Sequence, residues 1–206
     1  MAAEETSSLG KEERIVALDI GGVCISLHPD RILRSLGLSP LLQPPARFLE
    51  ACTLLETGRM SNGEWFRIFS EYTGGRFSME ELAEIWNSMI GPDIPGMADA
   101  VRSLLARGGY RFVFFSNTSA MHLMQVLRMC SFCHLVTGGV FSYEAGAMKP
   151  DPGMYEAFQK TYGVPCLYFD DRKENVEAAL RRGWPARFFT SSESFLACFE
   201  NEKMNS

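Results

Sequence analysis

RIVALDIGGVCISL, residues 14–27, is the stretch that decides the fold. Its first half is an apolar run typical of a buried strand, and this run ends on a single acid, Asp19. Gly21 and Gly22 follow, so the next turn carries almost no side chains. A strand that stops in a wetted turn would account for the acid alone. Glycines, however, let a backbone approach a bound group closely, and the stretch therefore predicts that something charged meets the chain beside Asp19.

Short apolar strands alternate with helical patterns along most of the chain. Helix-like segments lie between the strands, and several of them end in glycine, the usual residue after a helix C-terminus. This alternation predicts an α/β fold with a Rossmann-like three-layer core and a mainly parallel sheet. The predicted strands are RIVALDI (14–20), YRFVFFSN (110–117), GGVFSY (138–143), CLYFDD (166–171) and PARFFT (185–190).

Residues 28–93 break the alternation, because they contain helical patterns only. Ser61 and Ser78 are predicted N-caps, and Glu81 completes a capping box with Ser78. We therefore expect a small helical cap at 28–93, inserted directly after the first strand. The core then consists of residues 14–27 and 94–200, and residues 1–13 form a disordered tail.

Four polar groups follow or flank the predicted core strands. Asp19 ends the first strand, Ser116-Asn117 ends the second, Lys149 lies in a loop, and Asp170-Asp171 ends a later strand. Each has a simple structural explanation by itself, such as a helix N-cap at Asn117 or Thr118, or a solvated lysine. In an open parallel sheet, however, the carboxyl ends of the strands form one edge where ligands bind. The four groups are therefore predicted to converge at one site.

These motifs resemble those of the haloacid dehalogenase-like (HAD) hydrolases, and the resemblance covers residues 14 to about 195. The helical segment after the first strand is similar to the small helical cap of that family. Among its members, the bacterial sugar-phosphate phosphatases with Gly two places after the nucleophile are the most similar in the first motif. The four matching segments are LDIGGV (18–23), FFSNT (114–118), GAMKPDPGMY (146–155) and YFDDRKENVEAA (168–179).

The resemblance implies a phosphatase that works through a covalent aspartyl-phosphate. Asp19 is the implied nucleophile, and Lys149 supplies positive charge to it and to the phosphoryl group. Ser116 and the backbone N–H of Asn117 are the implied donors to phosphate oxygens, beside a helix N-terminus. The expected substrate is a small phosphorylated metabolite, with a sugar phosphate favoured.

The resemblance also implies Mg²⁺ as the cofactor, because two anions repel unless a cation bridges them. Mg²⁺ prefers oxygen ligands and keeps several waters. Asp19, the backbone carbonyl of Gly21 and Asp171 are the implied ligands, and Asp170 is either a second ligand or an outer partner.

One departure from the family pattern matters. Most phosphatases of the family carry a second Asp at the position of Gly21, where it protonates the leaving oxygen. General acid–base help of this kind is worth ~10²–10⁴-fold. Its absence favours substrates with a better leaving group, such as a sugar 1-phosphate, an acyl phosphate or a phosphoanhydride. Water, Glu56 or His28 could replace the acid, although a solvated surface position is the simpler interpretation of both side chains.

The composition excludes several classes of protein. The 206 residues carry a net charge of −5, which argues against nucleic acid as a partner. The longest apolar stretch is interrupted by Asp19, so no membrane span is expected. The N-terminus lacks the order of a signal peptide, and we therefore expect a cytoplasmic protein whose six cysteines are reduced.

The segment CSFCH, residues 130–134, matches the pattern of covalent haem attachment and could also supply metal ligands. Haem attachment belongs to exported proteins, and a zinc site would lack an obvious fourth ligand. We therefore interpret Cys130 and Phe132 as core residues at the end of an amphipathic helix, and we expect no haem.

Two other functions stay open at this stage. In a haloacid dehalogenase, Asp19 would attack carbon and the halide would leave without an acid, which would explain Gly21. That chemistry has no need for the Asp170-Asp171 pair. A non-catalytic protein that binds phosphate or a partner is the third possibility, and the complete set of Asp19, Ser116, Lys149 and Asp171 argues against it.

Overall fold

A five-stranded parallel sheet forms the centre of the computed structural model, which describes residues 13–39, 41 and 43–200. The strand order in this sheet is β5-β4-β1-β6-β7, and every neighbouring pair is parallel. The predicted α/β fold with a mainly parallel sheet is confirmed. The strands are β1 (Arg14–Leu18), β2 (Ile25–Leu27), β3 (Ile90–Asp93), β4 (Tyr110–Ser116), β5 (Gly139–Phe141), β6 (Leu167–Asp170) and β7 (Ala186–Phe188).

Helices follow most of the strands, so that the chain crosses over between parallel neighbours. The helices are α1 (Asp30–Ser35), α2 (Ala46–Glu56), α3 (Asn62–Tyr72), α4 (Met79–Asn87), α5 (Met97–Arg107), α6 (Ala120–Met129), α7 (Ser142–Ala145), α8 (Pro152–Tyr162), α9 (Lys173–Arg181) and α10 (Ser192–Glu200).

The two faces of the sheet bury different side chains. Val16 and Leu18 of β1 pack in one cluster with residues of α5, α6 and α10. Ala17, between them, packs on the other face in a second cluster with residues of α8 and α9. Alternate residues of a strand point to opposite faces, so a strand that is apolar throughout indicates burial on both sides. The core therefore has three layers.

Helices α1 to α4 share a hydrophobic cluster of their own. Trp65 and Phe69 of α3 are completely buried there, and Trp86 of α4 packs against Trp65 with ring centroids 4.4 Å apart. The predicted N-caps are both present, since Ser61 and Ser78 each form a full capping box. The segment is thus a packed helical unit beside the sheet.

The prediction that residues 28–93 are helical throughout was wrong at its end. Residues 90–93 form β3, which pairs with β2 as a short antiparallel ribbon. A side chain at Gly91 would collide with Ser26 and His28 on the partner strand, so the absence of one lets the two strands approach. The Gly-Pro pair, a usual mark of a loop, concealed this strand in the sequence.

The expectation for the cysteines was wrong for one pair. Cys130 and Cys133 are joined by a disulfide, whereas both were expected to be reduced thiols. Their backbones lie 5.4 Å apart between Cα atoms, which is a normal separation for a bridge. Cys130 and Phe132 are buried in the core, as the packing interpretation predicted, and Cys133 is buried with them.

Residues 1–12 of the predicted tail lie outside the described residues. Within the part of the chain that is described, no helix combines the length and the apolar character that a membrane span requires.

Candidate active site

One edge of the sheet brings the four polar motifs together. Strands β4, β1 and β6 are neighbours, and the chain continues from their carboxyl ends into Ser116-Asn117, Asp19 and Asp170-Asp171. Lys149 reaches the same place from the loop between α7 and α8. The predicted convergence of these groups at one sheet edge is therefore what the structure shows.

Asp19 is held at this edge by its own turn. Its backbone N–H donates to the carbonyl of Phe169 at 3.0 Å, which extends the pairing of β1 with β6 by one residue. The backbone N–H of Ile20 donates to Asp19 Oδ1 at 2.7 Å and fixes the carboxylate. Gly22 has a φ of 72°, and a Cβ there would collide with the carboxylate of Asp171. The second glycine thus makes room for an acid from the neighbouring strand.

Lys149 is the buried cation of the site. Its ammonium lies 3.2 Å from Asp19 Oδ2 and 2.7 Å from Asp170 Oδ2, and it donates to the carbonyl of Phe115 at 2.6 Å. The residue is only 4% exposed. Charged groups are rarely buried unless they are paired, and here one ammonium serves two carboxylates.

Asp170 and Asp171 have different surroundings although they are adjacent. Asp170 is completely buried, and its oxygens accept hydrogen bonds from Lys149, the Tyr168 hydroxyl, Asn175 Nδ2 and the backbone N–H of Arg172. The carboxylate of Asp171 is exposed at the cavity instead. Asp170 is therefore committed to internal donors, and Asp171 can reach a ligand.

Asn117 positions Lys149. Its amide Nδ2 donates to the carbonyl of Lys149 at 2.9 Å, and its Oδ1 accepts from the Lys149 backbone N–H at 2.7 Å. Ser116 is 2% exposed, and its hydroxyl lies beside the Asp19 carboxylate, where it acts to lower the pKa of Asp19. Helix α6 begins after its N-cap, Ser119, rather than at Asn117.

Burial and charge act against each other on the ionisable groups. Burial raises the pKa of Asp19, and the Lys149 ammonium opposes this rise. Burial would lower the pKa of Lys149, but the carboxylates of Asp19 and Asp170 outweigh it and raise that pKa. Burial also works to raise the pKa of Asp170, yet Lys149 and the hydrogen bonds hold it below its usual value.

The charges at this edge do not balance. Oxygens of Asp19, Asp170 and Asp171 all lie within 4.8 Å of one another. The single positive charge of Lys149 pairs with Asp19 and Asp170, and burial followed by the nearby Asp170 raises the pKa of Asp171. A cluster of carboxylate oxygens with excess negative charge is the donor set that suits Mg²⁺.

A cavity of about 200 Å³ opens over these groups. The core contributes Asp19, Gly21, Ser116, Asn117, Asp171 and Arg172 to its lining. Apolar side chains, among them Ile25, Leu27 and Met148, form part of its wall. Glu56, from the end of α2, also lines it and is half-buried, whereas His28 is not among the described lining residues.

Three residues of the site were missed in the sequence. Tyr168 and Asn175 hold Asp170, and both lie inside the motif YFDDRKENVEAA, so their proximity to the acid was the available signal. His122 lines the cavity and stacks on Trp86, with ring centroids 4.7 Å apart. No local pattern indicates that contact, because it joins α6 to α4.

Comparisons with known proteins agree with this geometry. No protein-family model matches the chain. Phosphatase MT3486 of Mycobacterium tuberculosis is 34% identical over 84 residues, a match that spans 39% of this chain and 39% of that protein. The chain thus covers well under half the length of this curated relative.

Solved structures match over nearly the whole chain. The HAD family enzyme BT-2542 from Bacteroides thetaiotaomicron is 22% identical, with a TM-score of 0.77 over 92% of this chain and 99% of that one. The wild-type form of that enzyme has been solved with magnesium and inorganic phosphate and has a TM-score of 0.73 at 21% identity, covering 87% of this chain and 96% of that one.

A HAD-like hydrolase structure from Porphyromonas gingivalis is also similar. It has a TM-score of 0.71 at 22% identity and covers 92% of this chain and 97% of that one. The chain has the fold of the haloacid dehalogenase-like hydrolases, as the motifs in its sequence predicted.

Proposed function

We propose that the protein is a Mg²⁺-dependent phosphatase that hydrolyses a small phosphorylated metabolite through an aspartyl-phosphate on Asp19. The observation that carries the proposal is the cluster of Asp19, Asp170 and Asp171 beside the buried Lys149, with Asp19 and Asp171 lining a cavity. Phosphatase MT3486 and the magnesium and phosphate complex of BT-2542 support it.

Asp19 is the nucleophile in this mechanism. One of its carboxylate oxygens attacks phosphorus, the bond from phosphorus to the leaving oxygen breaks, and water later releases inorganic phosphate. Its backbone contacts to Ile20 and Phe169 hold the carboxylate in place before substrate arrives. Such preorganisation avoids part of the entropy loss of the reaction.

Lys149 and Ser116 stabilise charge on the phosphoryl group. The ammonium lies beside Asp19 in a buried position, where electrostatic interactions are stronger than in water. Ser116 has a hydroxyl in contact with Asp19 and can turn to a phosphoryl oxygen. Asn117 contributes through its backbone N–H, while its side chain positions Lys149.

Asp19, the carbonyl of Gly21 and Asp171 would hold Mg²⁺, and Asp170 would act as their outer partner. When bound, the ion neutralises charge between the carboxylate and the phosphate. Asp170 suits the outer role because its oxygens already accept hydrogen bonds from four donors. The excess of carboxylates over cations at this edge supports the assignment.

Residues 28–93 would act as a cap that closes the site and selects the substrate. Glu56 and Met89 from this segment line the cavity. The small volume suits a compact metabolite, and we favour a sugar phosphate.

The test is hydrolysis of 4-nitrophenyl phosphate and of a panel of sugar phosphates by the purified protein. We expect activity that is lost with EDTA and returns when Mg²⁺ is added. A 2-haloacid panel runs in parallel. Halide release that is indifferent to EDTA, without phosphate release, would contradict the proposal and favour a dehalogenase.

A further inference from the structure

Most phosphatases of the family carry a second Asp at position 21, but here the space for a side chain at that position is filled by Leu27. A Cβ at Gly21 would collide with Cδ1 of Leu27, which lines the cavity. The backbone of Gly21 is outside the left-handed region, so the position is not reserved for glycine by its dihedral angles. The proton that a leaving oxygen needs must therefore come from another group.

Few groups that line the cavity can supply that proton. Asp19 and Asp171 are assigned to the nucleophile and the metal. Arg172 is permanently charged and pairs with Glu174 outside the cavity. His122 stacks on Trp86, and its Nε2 lies 3.3 Å from the backbone carbonyl oxygen of Trp86. Burial lowers the pKa of His122 to about 4. Of the titratable side chains in the described lining, Glu56 is the one that stays uncommitted.

Glu56 stands where a carboxyl group holds its proton more readily than an exposed glutamate does. It is the last residue of α2, and the last turn of that helix has no basic residue. The carbonyl groups at a helix C-terminus disfavour a nearby anion. Among the described residues, no hydrogen bond or ion pair involves its carboxyl group, and burial raises the pKa of Glu56 to about 7.

The turn after Glu56 is fixed to the core. Gly58 has a φ of 66° and packs so closely on the Tyr143 carbonyl that a Cβ would collide with it. Arg59 Nη2 donates to the carbonyl of Gly146 at 3.1 Å, and Thr57 Oγ1 donates to Thr53 at 2.8 Å. The end of α2 is therefore held against the core at the rim of the cavity.

We infer that Glu56 is the general acid of the reaction and replaces the acid that position 21 lacks. This inference rests on the proposed phosphatase function. As the bond between phosphorus and the leaving oxygen breaks, that oxygen takes the proton of the Glu56 carboxyl group. The resulting carboxylate then takes a proton from the water that attacks phosphorus, and Asp19 and inorganic phosphate are released.

If Glu56 supplies the proton, the missing acid at position 21 no longer limits the enzyme to substrates with good leaving groups. Sugar 6-phosphates are then as acceptable chemically as sugar 1-phosphates. It also makes proton transfer depend on the helical unit.

The experiment compares Glu56→Gln with Glu50→Gln, an exposed glutamate on the same helix. The substrates are 4-nitrophenyl, phenyl and benzyl phosphate, which are similar in size and increasingly poor in leaving group. The measured quantity is kcat/KM, which reports the steps up to departure of the leaving group. We expect E56Q to lose ~10²-fold or more on benzyl phosphate and less than about tenfold on 4-nitrophenyl phosphate. E50Q should match the wild type.

The pH profile separates proton donation from a structural role. For the wild type, kcat/KM on benzyl phosphate should fall as pH rises through about 7, because Glu56 then loses its proton. In E56Q this fall should be absent. The charged and titratable groups around Glu56 are Cys52 on its own helix, Arg59 beyond its end, Tyr143 and Glu144 on α7, and Asp19, Asp171, Arg172 and His122 across the cavity.

Equal losses on all three substrates, or a change in KM alone, would overturn the inference. If E56Q does not fold, Glu56→Asp keeps the carboxyl group one methylene shorter, and it should retain the fall above pH 7. An E56D variant without that fall would also overturn it. A wild type that shows no Mg²⁺-dependent release of 4-nitrophenol would instead refute the proposed function.

Discussion

Replacing Lys149 by Met removes the cation that Asp19 and Asp170 share and keeps most of the side-chain stem. The ammonium contacts an oxygen of each carboxylate, at 3.2 and 2.7 Å, and all three side chains are at most 10% exposed. Breaking a buried ion pair by removing one partner costs about 3–5 kcal/mol, because the other charge is left uncompensated.

The structure indicates that the loss of stability in the Lys149→Met variant lies at the lower end of about 3–5 kcal/mol. Asp170 keeps its donors Tyr168, Asn175 and the Arg172 N–H in the variant. Asp19 keeps the Ile20 N–H and can take up a proton more easily than an exposed aspartate, since burial raises its pKa. We therefore expect K149M to lower the free energy of unfolding by about 3 kcal/mol at pH 7.

Urea unfolding in EDTA, at pH 7, measures this loss. Lys160→Met on α8 is the control, because Lys160 is exposed and should change the stability by less than about 0.5 kcal/mol. Adding Asp170→Asn to K149M should recover part of the loss, since the double variant buries one carboxylate fewer. A K149M variant as stable as K160M would refute the reasoning that Lys149 balances these two charges.

Three further changes have expected outcomes. Gly22→Ala should weaken Mg²⁺ binding in calorimetry, because the added methyl group displaces the Asp171 carboxylate. The control is Gly37→Ala, also at positive φ but with free space around it, which should cost about 1–2 kcal/mol of stability and leave Mg²⁺ binding unchanged. Equal Mg²⁺ binding by the two variants would contradict this expectation. Burial lowers the pKa of His122 from an ordinary 6.5 to about 4. As the pH falls from 6.5 to 4, the imidazole therefore takes up a proton in the unfolded chain but not in the folded protein. Stability should therefore fall by about 2 kcal/mol between pH 7 and pH 4.5 on account of this residue, and His122→Gln should show a correspondingly smaller fall in urea unfolding. Asn117→Ala should lower kcat more than it raises KM, since Asn117 fixes the Lys149 backbone, and a change in KM alone would show that its side chain only binds substrate.

Strand periodicity and four short motifs were enough to predict the sheet and the polar groups at its edge. The polar groups converge because the carboxyl ends of parallel strands share one edge of the sheet, and this could be predicted once the strands were located in the sequence. The groups concerned are Asp19, Lys149 and the Asp170-Asp171 pair. The choice between Asp170 and Asp171 needed coordinates, since adjacent residues differ only in the direction of their side chains. The donors Tyr168 and Asn175 hold Asp170 and so support Asp171 as the proposed metal ligand.

Other features depend on contacts between distant parts of the chain. The strand at 90–93 exists because it pairs with residues 25–27, and its Gly-Pro sequence indicates a loop. The disulfide at Cys130 depends on the fold of the turn that brings Cys133 near it. The position of Glu56 at the cavity depends on how α2 packs against the core, which no periodicity in the helix itself reveals.

The central claim is that Asp19 becomes phosphorylated during turnover. Acid quenching during hydrolysis of 4-nitrophenyl phosphate, followed by borohydride reduction and peptide mass mapping, tests it most directly. A good leaving group makes breakdown of the intermediate the slow step, so the acyl phosphate accumulates. We predict homoserine at position 19, dependent on both substrate and Mg²⁺. Sustained phosphate release with an unmodified Asp19, or with the label on another residue, would contradict the account.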